Sequence, residues 1–252
     1  MGKTPQCSMN AGYIKPGLTT RRWPILAGCI TLLAVMAMVS LGVWQLDRMA
    51  QKQHRLDSIA HKNAETPIHP FSATGQWQDV RDVPVRFTGI VRHSRVLLLD
   101  NQIIKGRPGY DVIVPVLTRG REILVNLGWV AVPRSRNELP VLAVPQGEIT
   151  IEGVLSQPGS NLFISETQTR FNSFPVVIQQ LDIAELNTRW QSALPDMVVE
   201  RLRSEPALSE FTTHWQPVVM SPEKHLGYAV QWFGLAIAAI VIFLSVWFRR
   251  SQ

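Results

Sequence analysis

The chain has 252 residues, enough for one ordinary domain with additional segments, and it carries 25 basic and 19 acidic side chains. Its mean hydropathy is nevertheless close to zero, so apolar and polar residues must be segregated along the chain. No basic stripe with interleaved aromatic residues is present, and we therefore expect no nucleic-acid partner. The sequence also lacks the usual glycine-rich phosphate-binding motifs, which excludes the common nucleotide-binding enzymes.

Two long segments without charged residues predict membrane-spanning helices. The first covers residues 24–44 and the second covers residues 225–248. At the helical rise, each is about 30 Å long, which is the thickness of a bilayer core. The first segment could instead be a cleaved signal sequence, because basic residues precede it. Its apolar run is longer than the usual signal core, however, and has no clear cleavage site, so we expect a retained anchor.

The distribution of charge predicts how these helices are oriented. All 19 acidic residues lie between Asp47 and Glu223, whereas six of the 25 basic residues lie outside that interval, in the two tails. Several basic residues also follow the first helix closely, so Arg249 and Arg250 after the second helix decide the orientation. By the positive-inside rule, we expect cytoplasmic tails at 1–23 and 249–252. The central region, 45–224, is then periplasmic, and the chain crosses the cell inner membrane twice.

The central region begins with a continuation of the first helix and then becomes rich in β structure. Leu46, Met49, Leu56 and Ile59 follow a weak helical period up to the proline-containing stretch 65–70. Short β-rich runs bounded by glycine and proline follow at a spacing of about ten residues. These runs cover residues 83–91, 94–100, 109–117, 121–130 and 148–155. Their spacing predicts an antiparallel sheet or a small barrel.

The rest of the central region predicts a short helix, a last strand and a tight turn. Asp182 is a candidate N-cap for a helix over residues 181–190, and residues 196–203 are a candidate strand. The stretch 126–130, Asn-Leu-Gly-Trp-Val, predicts a turn beside a core tryptophan. Ser221 or Pro222 suits the start of the second membrane helix. The sequence as a whole predicts an α+β membrane protein, with two transmembrane helices flanking a β-rich antiparallel extracytoplasmic domain.

Four stretches of the chain resemble a known family. They are LGVWQLDRMAQK at 41–52, GRPGYDVIVPV at 106–116, ILVNLGWV at 123–130 and KHLGYAVQWFGLA at 224–236. In this order they are similar to the signature stretches of the Surfeit locus protein one family, the cytochrome c oxidase assembly factors. The family usually has arginine where this chain has Leu127. The resemblance implies a chaperone of the respiratory chain that binds haem a, transiently or weakly, and helps to place it in the catalytic oxidase subunit.

The same resemblance implies partners and a metal ligand. The partners would be the catalytic subunit of cytochrome c oxidase, the enzyme that makes haem a, and membrane lipid. The histidine at the start of the second helix is the family's proposed haem ligand, and here it is His225. No enzymatic activity is expected, since His93, Ser94 and Asp100 lack the strained turn that surrounds a nucleophilic serine.

A shared site at the outer interface is consistent with the chemistry of these residues. Two antiparallel helices of matched length would bring Trp44 to Arg48 level with His225 to Trp232. A neutral imidazole is a usual axial ligand of haem iron. The candidate cofactor-binding residues are His225, Trp232, Tyr228, Arg48, Gln45 and Gln231, with His225 as the ligand of the iron.

Each of these residues also has a purely structural interpretation. Histidine, tyrosine and tryptophan are common anchors at membrane interfaces, and from the residues alone an anchor is favoured over a ligand for His225. The resemblance reverses that preference. Arg48 could snorkel or pair with Asp47 or Glu223, and Gln45 could hydrogen-bond to Gln231 across the helices. A haem-independent membrane scaffold for oxidase subunit assembly is therefore the alternative function, and a membrane-tethered hydrolase is a third.

Overall fold

The computed structural model describes residues 23–133, 138–159, 171, 173–203 and 205–250. The predicted tail at 1–23 therefore lies outside the described residues except for Trp23, as do residues 251 and 252. The chain divides into two compact units. One contains the described residues up to Lys52 together with those from Met220 onward, and the other is Gln53–Val219.

Two helices are long and apolar enough to cross a membrane. They are α1, Trp23–Asn63, and α4, Pro222–Arg250; two short helices, α2 Trp77–Val80 and α3 Ile183–Trp190, lie between them in the chain. In the most apolar stretch of each helix, only 6% of α1 and 11% of α4 is buried within the protein. The core helix of a soluble protein would be mostly buried. Helix α4 begins at Pro222 as predicted, since proline suits the first helical position. The boundary after residue 44 stays a prediction, because α1 passes through it without a break.

The two helices are packed against each other in antiparallel fashion by small residues. A Cβ atom at Gly42 of α1 would lie 2.7 Å from the Phe233 ring of α4, so glycine allows this close approach. Further along, a Cβ at Gly28 would be 3.4 Å from the Phe243 ring. On α4, Ala229 is only 1% exposed. These contacts bring the two helix backbones close together over most of the apolar length.

The last turns of α1 belong to the second unit, as the helical period past the membrane segment predicts. Ile59 is buried there, and Arg55 donates two hydrogen bonds of 2.9 Å to the carboxylate of Asp82. Bidentate pairs of this kind fix the guanidinium in one orientation. The helix ends at Asn63, before the proline-containing stretch that the sequence marked as its end.

Five strands of the second unit close into a barrel. The order around the barrel is β1, β5, β7, β4, β3 and back to β1, while β2 and then β6 extend the sheet from β3. The strands are β1 Pro84–Val91, β2 Leu97–Ile104, β3 Arg107–Thr118, β4 Arg121–Ala131, β5 Glu148–Ser156, β6 Val176–Ile178 and β7 Val198–Arg201. The α+β fold class and the β-rich domain between the two helices are confirmed.

The details of the sheet differ from the expectation in three places. Strand β2 begins at Leu97, because His93–Arg95 form a short 3-10 helix. The short pairings of β2 with β6 and of β4 with β7 are parallel, and the other five pairings are antiparallel. The predicted turn at 126–130 is wrong. These residues lie within β4, where Gly128 has φ +126° at an irregularity in the pairing with β3.

Strands β3 and β4 are apolar on both faces because each face is buried. Alternate residues point to opposite sides of a strand. Val112, Val125 and Leu127 lie in the cluster that all five barrel strands share. Ile113 and Leu124 lie in a second cluster on the opposite face, with β6 and helix α3, Ile183–Trp190. The predicted N-cap of α3 is confirmed, since the Asp182 carboxylate accepts a 2.9 Å hydrogen bond from the Glu185 N–H.

A buried arginine holds the segment that follows β7. Arg201 is 2% exposed, and its guanidinium donates only to main-chain carbonyls. The acceptors are Leu127 at 2.6 Å, Arg203 at 2.8 Å, Leu208 at 3.3 Å and Phe211. Burial lowers the pKa of Arg201, but a guanidinium remains charged in proteins. Among the described residues, no carboxylate forms a salt bridge with it, so the carbonyl dipoles stabilise the charge.

Candidate functional site

His225 and Gln45 form a polar contact between the two membrane helices. The His225 Nδ1 atom lies 2.8 Å from the Gln45 Oε1 atom. An amide oxygen only accepts hydrogen bonds, so the imidazole donates from Nδ1. His225 is 8% exposed. Its other nitrogen, Nε2, is buried and has no hydrogen-bond partner among the described residues.

The positions of these two residues follow from the helix packing. His225 lies in the first turn of α4, and Gln45 follows the predicted membrane segment of α1. Gly42 precedes Gln45 by one turn, and Ala229 follows His225 by one turn. Both small residues are buried, and Gly42 leaves room for the Phe233 ring of α4. The predicted alignment of the two helix ends is therefore confirmed for Gln45 and His225.

The free nitrogen of His225 suits an axial haem ligand. A buried acceptor without a partner costs about 1–3 kcal/mol, and coordination of a metal would relieve that cost. A neutral imidazole that donates from Nδ1 keeps its lone pair on Nε2, the form that binds iron. No group of three potential metal-ligating side chains occurs among the described residues. Because Nε2 is buried, a metal could bind it only after the groups that cover it move aside.

The other predicted site residues of α4 lie within two helical turns of His225. Trp232 is half-buried and lies seven residues after His225, on the same face of α4. Tyr228 is 43% exposed and Gln231 is exposed. The amide of Gln45 thus bonds to His225, and the interhelical pair of Gln45 with Gln231 that the sequence left open is not formed.

Arg48 makes local contacts on the surface of α1. Its Nη1 atom donates to the Gln51 Oε1 atom at 2.8 Å, and its guanidinium lies 5.5 Å from the centre of the Trp44 ring. Gln51 in turn donates to Asp47 at 2.7 Å. Arg48 forms no direct ion pair with Asp47 or Glu223 among the described residues.

The comparison with known proteins covers both helices and the barrel. The sequence profile described as the SURF1 family matches residues 32–237. This chain belongs to the SURF1 family. Members of the SURF1 family are cytochrome oxidase assembly factors, and the family is not one of catalytic enzymes. The matched range begins within the apolar part of α1 and ends within α4, so it includes Gln45 and His225.

Three relatives are named SURF1-like proteins. The protein of Rickettsia felis is 26% identical over 240 residues, which cover 88% of this chain and 96% of the relative. The protein of Monosiga brevicollis is 22% identical over 224 residues, covering 84% of this chain and 83% of the relative. The protein of Rickettsia prowazekii is 25% identical over 240 residues, covering 88% and 89%. The similarity to these SURF1-like proteins therefore spans nearly the whole of each chain.

A second polar cluster lies in the barrel unit of this SURF1-family chain and was not anticipated. The His214 Nε2 atom lies 2.6 Å from the Asp111 Oδ1 atom. The Asn126 side chain donates to Asp111 at 3.1 Å and to Glu200 at 2.9 Å. The only signal in the sequence was a polar residue within each of the apolar runs that form β3, β4 and β7.

The cluster shifts two protonation equilibria. Burial, together with the nearby charge of Asp111, raises the pKa of Glu200 to about 7. The hydrogen bond to Asp111 raises the pKa of His214. A cavity of about 660 Å³ lies beside Asp111, Asn126 and Glu200. The cluster can therefore take up or release a proton near neutral pH.

Proposed function

We propose that this SURF1-family protein binds haem a through His225 at the outer membrane interface and assists its insertion into the catalytic subunit of cytochrome c oxidase. The observation that supports this proposal is the buried imidazole whose Nδ1 donates to Gln45 while Nε2 has no partner. An interfacial anchor would instead direct a polar atom toward water or lipid headgroups.

The surrounding residues supply the rest of the proposed site. Trp232, on the face of His225, offers an apolar surface to the macrocycle, and Tyr228 and Gln231 would contact its edge. Arg48 would pair with a propionate. That pair adds little to affinity, because Arg48 is exposed and exposed ion pairs contribute about 0–1 kcal/mol.

A transient association is expected of such a carrier. The enzyme that makes haem a would supply the cofactor, and the catalytic oxidase subunit would receive it. Membrane lipid would surround the exposed apolar surface of α1 and α4. Binding by one protein ligand, whose nitrogen must first be uncovered, favours a weak and reversible complex.

The orientation in the membrane is part of the proposal. We infer that the chain lies in the cell inner membrane with its tails in the cytoplasm and the barrel in the periplasm, because the excess basic residues are in the tails. A reporter that is active only in the periplasm should work when inserted at the turn Arg119–Gly120 and fail when fused after Gln252. The opposite pattern would contradict this topology.

An absorption spectrum tests the haem proposal directly. The protein, purified in mild detergent from cells that make haem a, is expected to show the Soret and α bands of haem a. Protein from a strain that cannot make haem a is the control and should gain the bands when haem a is added. If neither preparation shows these bands, the haem-independent scaffold is the better explanation.

A further inference from the structure

We propose that Gln45 is a positioning residue that holds His225 in its Nδ1–H tautomer and so directs the Nε2 lone pair toward the haem iron. This inference rests on the proposed function. In it, Gln45 acts through His225 and does not itself bind the cofactor. The 2.8 Å contact between His225 Nδ1 and Gln45 Oε1 carries the inference.

The two nitrogens of a neutral imidazole compete for one proton. If Nε2 carried the proton, it would be a buried donor without an acceptor and would have no lone pair for iron. With an acceptor beside Nδ1, the proton is held on that nitrogen instead. The hydrogen bond also fixes the plane of the ring, as outer partners of metal-bound histidines generally do.

The amide group of Gln45 could in principle face the ring with either end. With its NH₂ group toward Nδ1, the amide would select the tautomer that cannot coordinate iron. An ionised glutamate at the same position has two acceptor oxygens and no donor, so it can only accept the hydrogen bond from Nδ1. Gln45→Glu therefore separates the proposed arrangement from the reverse one with a side chain of nearly the same size.

A neutral acceptor also suits a carrier that must release its cargo. A carboxylate beside Nδ1 would draw the proton further from the ring and strengthen the bond from Nε2 to iron. A carboxylate near the membrane core is also costly without a partner. The amide oxygen accepts the hydrogen bond from Nδ1 without carrying that charge. This is consistent with a side chain that orients His225 while haem a is bound with moderate affinity.

The test compares Gln45→Glu and Gln45→Met with the unchanged full-length protein in detergent, using added haem a as the probe. Gln45→Met removes the acceptor and should weaken binding by roughly 10- to 100-fold, the usual effect of losing an outer partner of a metal ligand. Gln45→Glu should retain binding and shift the midpoint potential of the bound haem to a more negative value. Gln53→Glu and Gln53→Met, at an exposed glutamine further along α1 that lies outside the proposed site, are the matched controls and should leave affinity and potential nearly unchanged.

A readout without haem keeps the inference separate from the proposed function. In the protein with ¹⁵N-labelled histidine, the His225 signals should show Nδ1 protonated and Nε2 bare, and Gln45→Met should shift them toward a mixture of tautomers. A protonated Nε2 in the unchanged protein would overturn the inference. Equal affinity and potential in all the Gln45 proteins would also overturn it, even with haem bound. Failure of every protein to bind haem a, with the tautomer as expected, would instead overturn the proposed function.

Discussion

Replacing His225 with alanine is expected to remove the Soret and α bands of bound haem a while leaving membrane insertion intact. The substitution deletes the proposed iron ligand, and alanine is a better helix former than histidine. The measurement is a titration of the detergent-solubilised protein with haem a, followed by its absorption spectrum. His54→Ala, which deletes an exposed imidazole further along α1, is the matched control and should bind like the unchanged protein.

Two further substitutions distinguish a ligand from an interfacial anchor. His225→Met supplies a thioether, which can bind haem iron, so altered bands are expected in place of lost ones. His225→Tyr supplies a phenol, which serves an interface as well as an imidazole does. If His225→Ala and His225→Tyr both kept the spectrum of the unchanged protein, together with normal oxidase assembly, His225 would be an anchor and the scaffold function would be favoured.

Glu200→Gln is expected to stabilise the barrel unit at pH 8, by roughly 3 kcal/mol in the free energy of unfolding. The pKa of Glu200 is about 7 in the folded chain, against 4.5 for an ordinary glutamate, and one pKa unit corresponds to about 1.4 kcal/mol. Glutamine keeps an acceptor for Asn126 without the charge that burial and Asp111 disfavour. Thermal unfolding in detergent, followed by circular dichroism from pH 4 to pH 8, measures the effect.

The direction of the pH dependence follows from proton binding. Below pH 4.5, Glu200 is protonated in both the folded and the unfolded chain, so it does not make the free energy of unfolding depend on pH. Between pH 4.5 and about 7, only the folded chain keeps the proton, so stability falls as the pH rises. The raised pKa of His214 acts in the same direction, since its stabilisation is present below pH 6.5 and is lost above its folded pKa.

The variant should therefore lose most of this pH dependence of stability but retain the part that comes from His214. Glu65→Gln, which removes an exposed carboxylate, is the control and should follow the unchanged protein. A Glu200→Gln protein that is less stable at pH 8 than the unchanged protein would show that the carboxylate is stabilising in the cluster. The assigned pKa direction would then be wrong.

The local pattern of the sequence predicted most of the fold. Uncharged runs marked the membrane helices, β-rich runs marked the barrel strands, and Asp182 marked the start of α3, because each signal lies within a few neighbouring residues. The closure of the barrel was not predictable in the same way. It depends on pairings such as Ile90 with Leu117, which join residues far apart in the chain. The strand bulge at Gly128 was mistaken for a turn, since glycine suits both.

The candidate site was predictable in its location but not in its hydrogen bonds. Antiparallel helices had to bring the end of one membrane segment beside the start of the other, so Gln45 and His225 were both named. Which side chain of α4 faces the Gln45 amide depends on the rotation of each helix about its own axis. That rotation is set by packing at Gly42 and Ala229, and the sequence alone left Gln231 as a possible partner of Gln45. The Asp111 and Glu200 cluster was missed because its members lie on three separate strands.

Because Arg201 donates to four main-chain carbonyls, few other residues can replace it at this position. A salt bridge can be repaired by a change in its partner, but a main-chain carbonyl is present whatever residue occupies 127, 203, 208 or 211. Replacement of any of these four residues therefore keeps the acceptor, although Leu127, Leu208 and Phe211 are themselves buried in the core. Position 201 has no such freedom, since lysine concentrates its donors on one nitrogen and cannot reach several divergent carbonyls. The side-chain hydrogen bonds from Arg201 to the segment after β7 thus depend on the residue at position 201 and not on the identity of the residues that accept them.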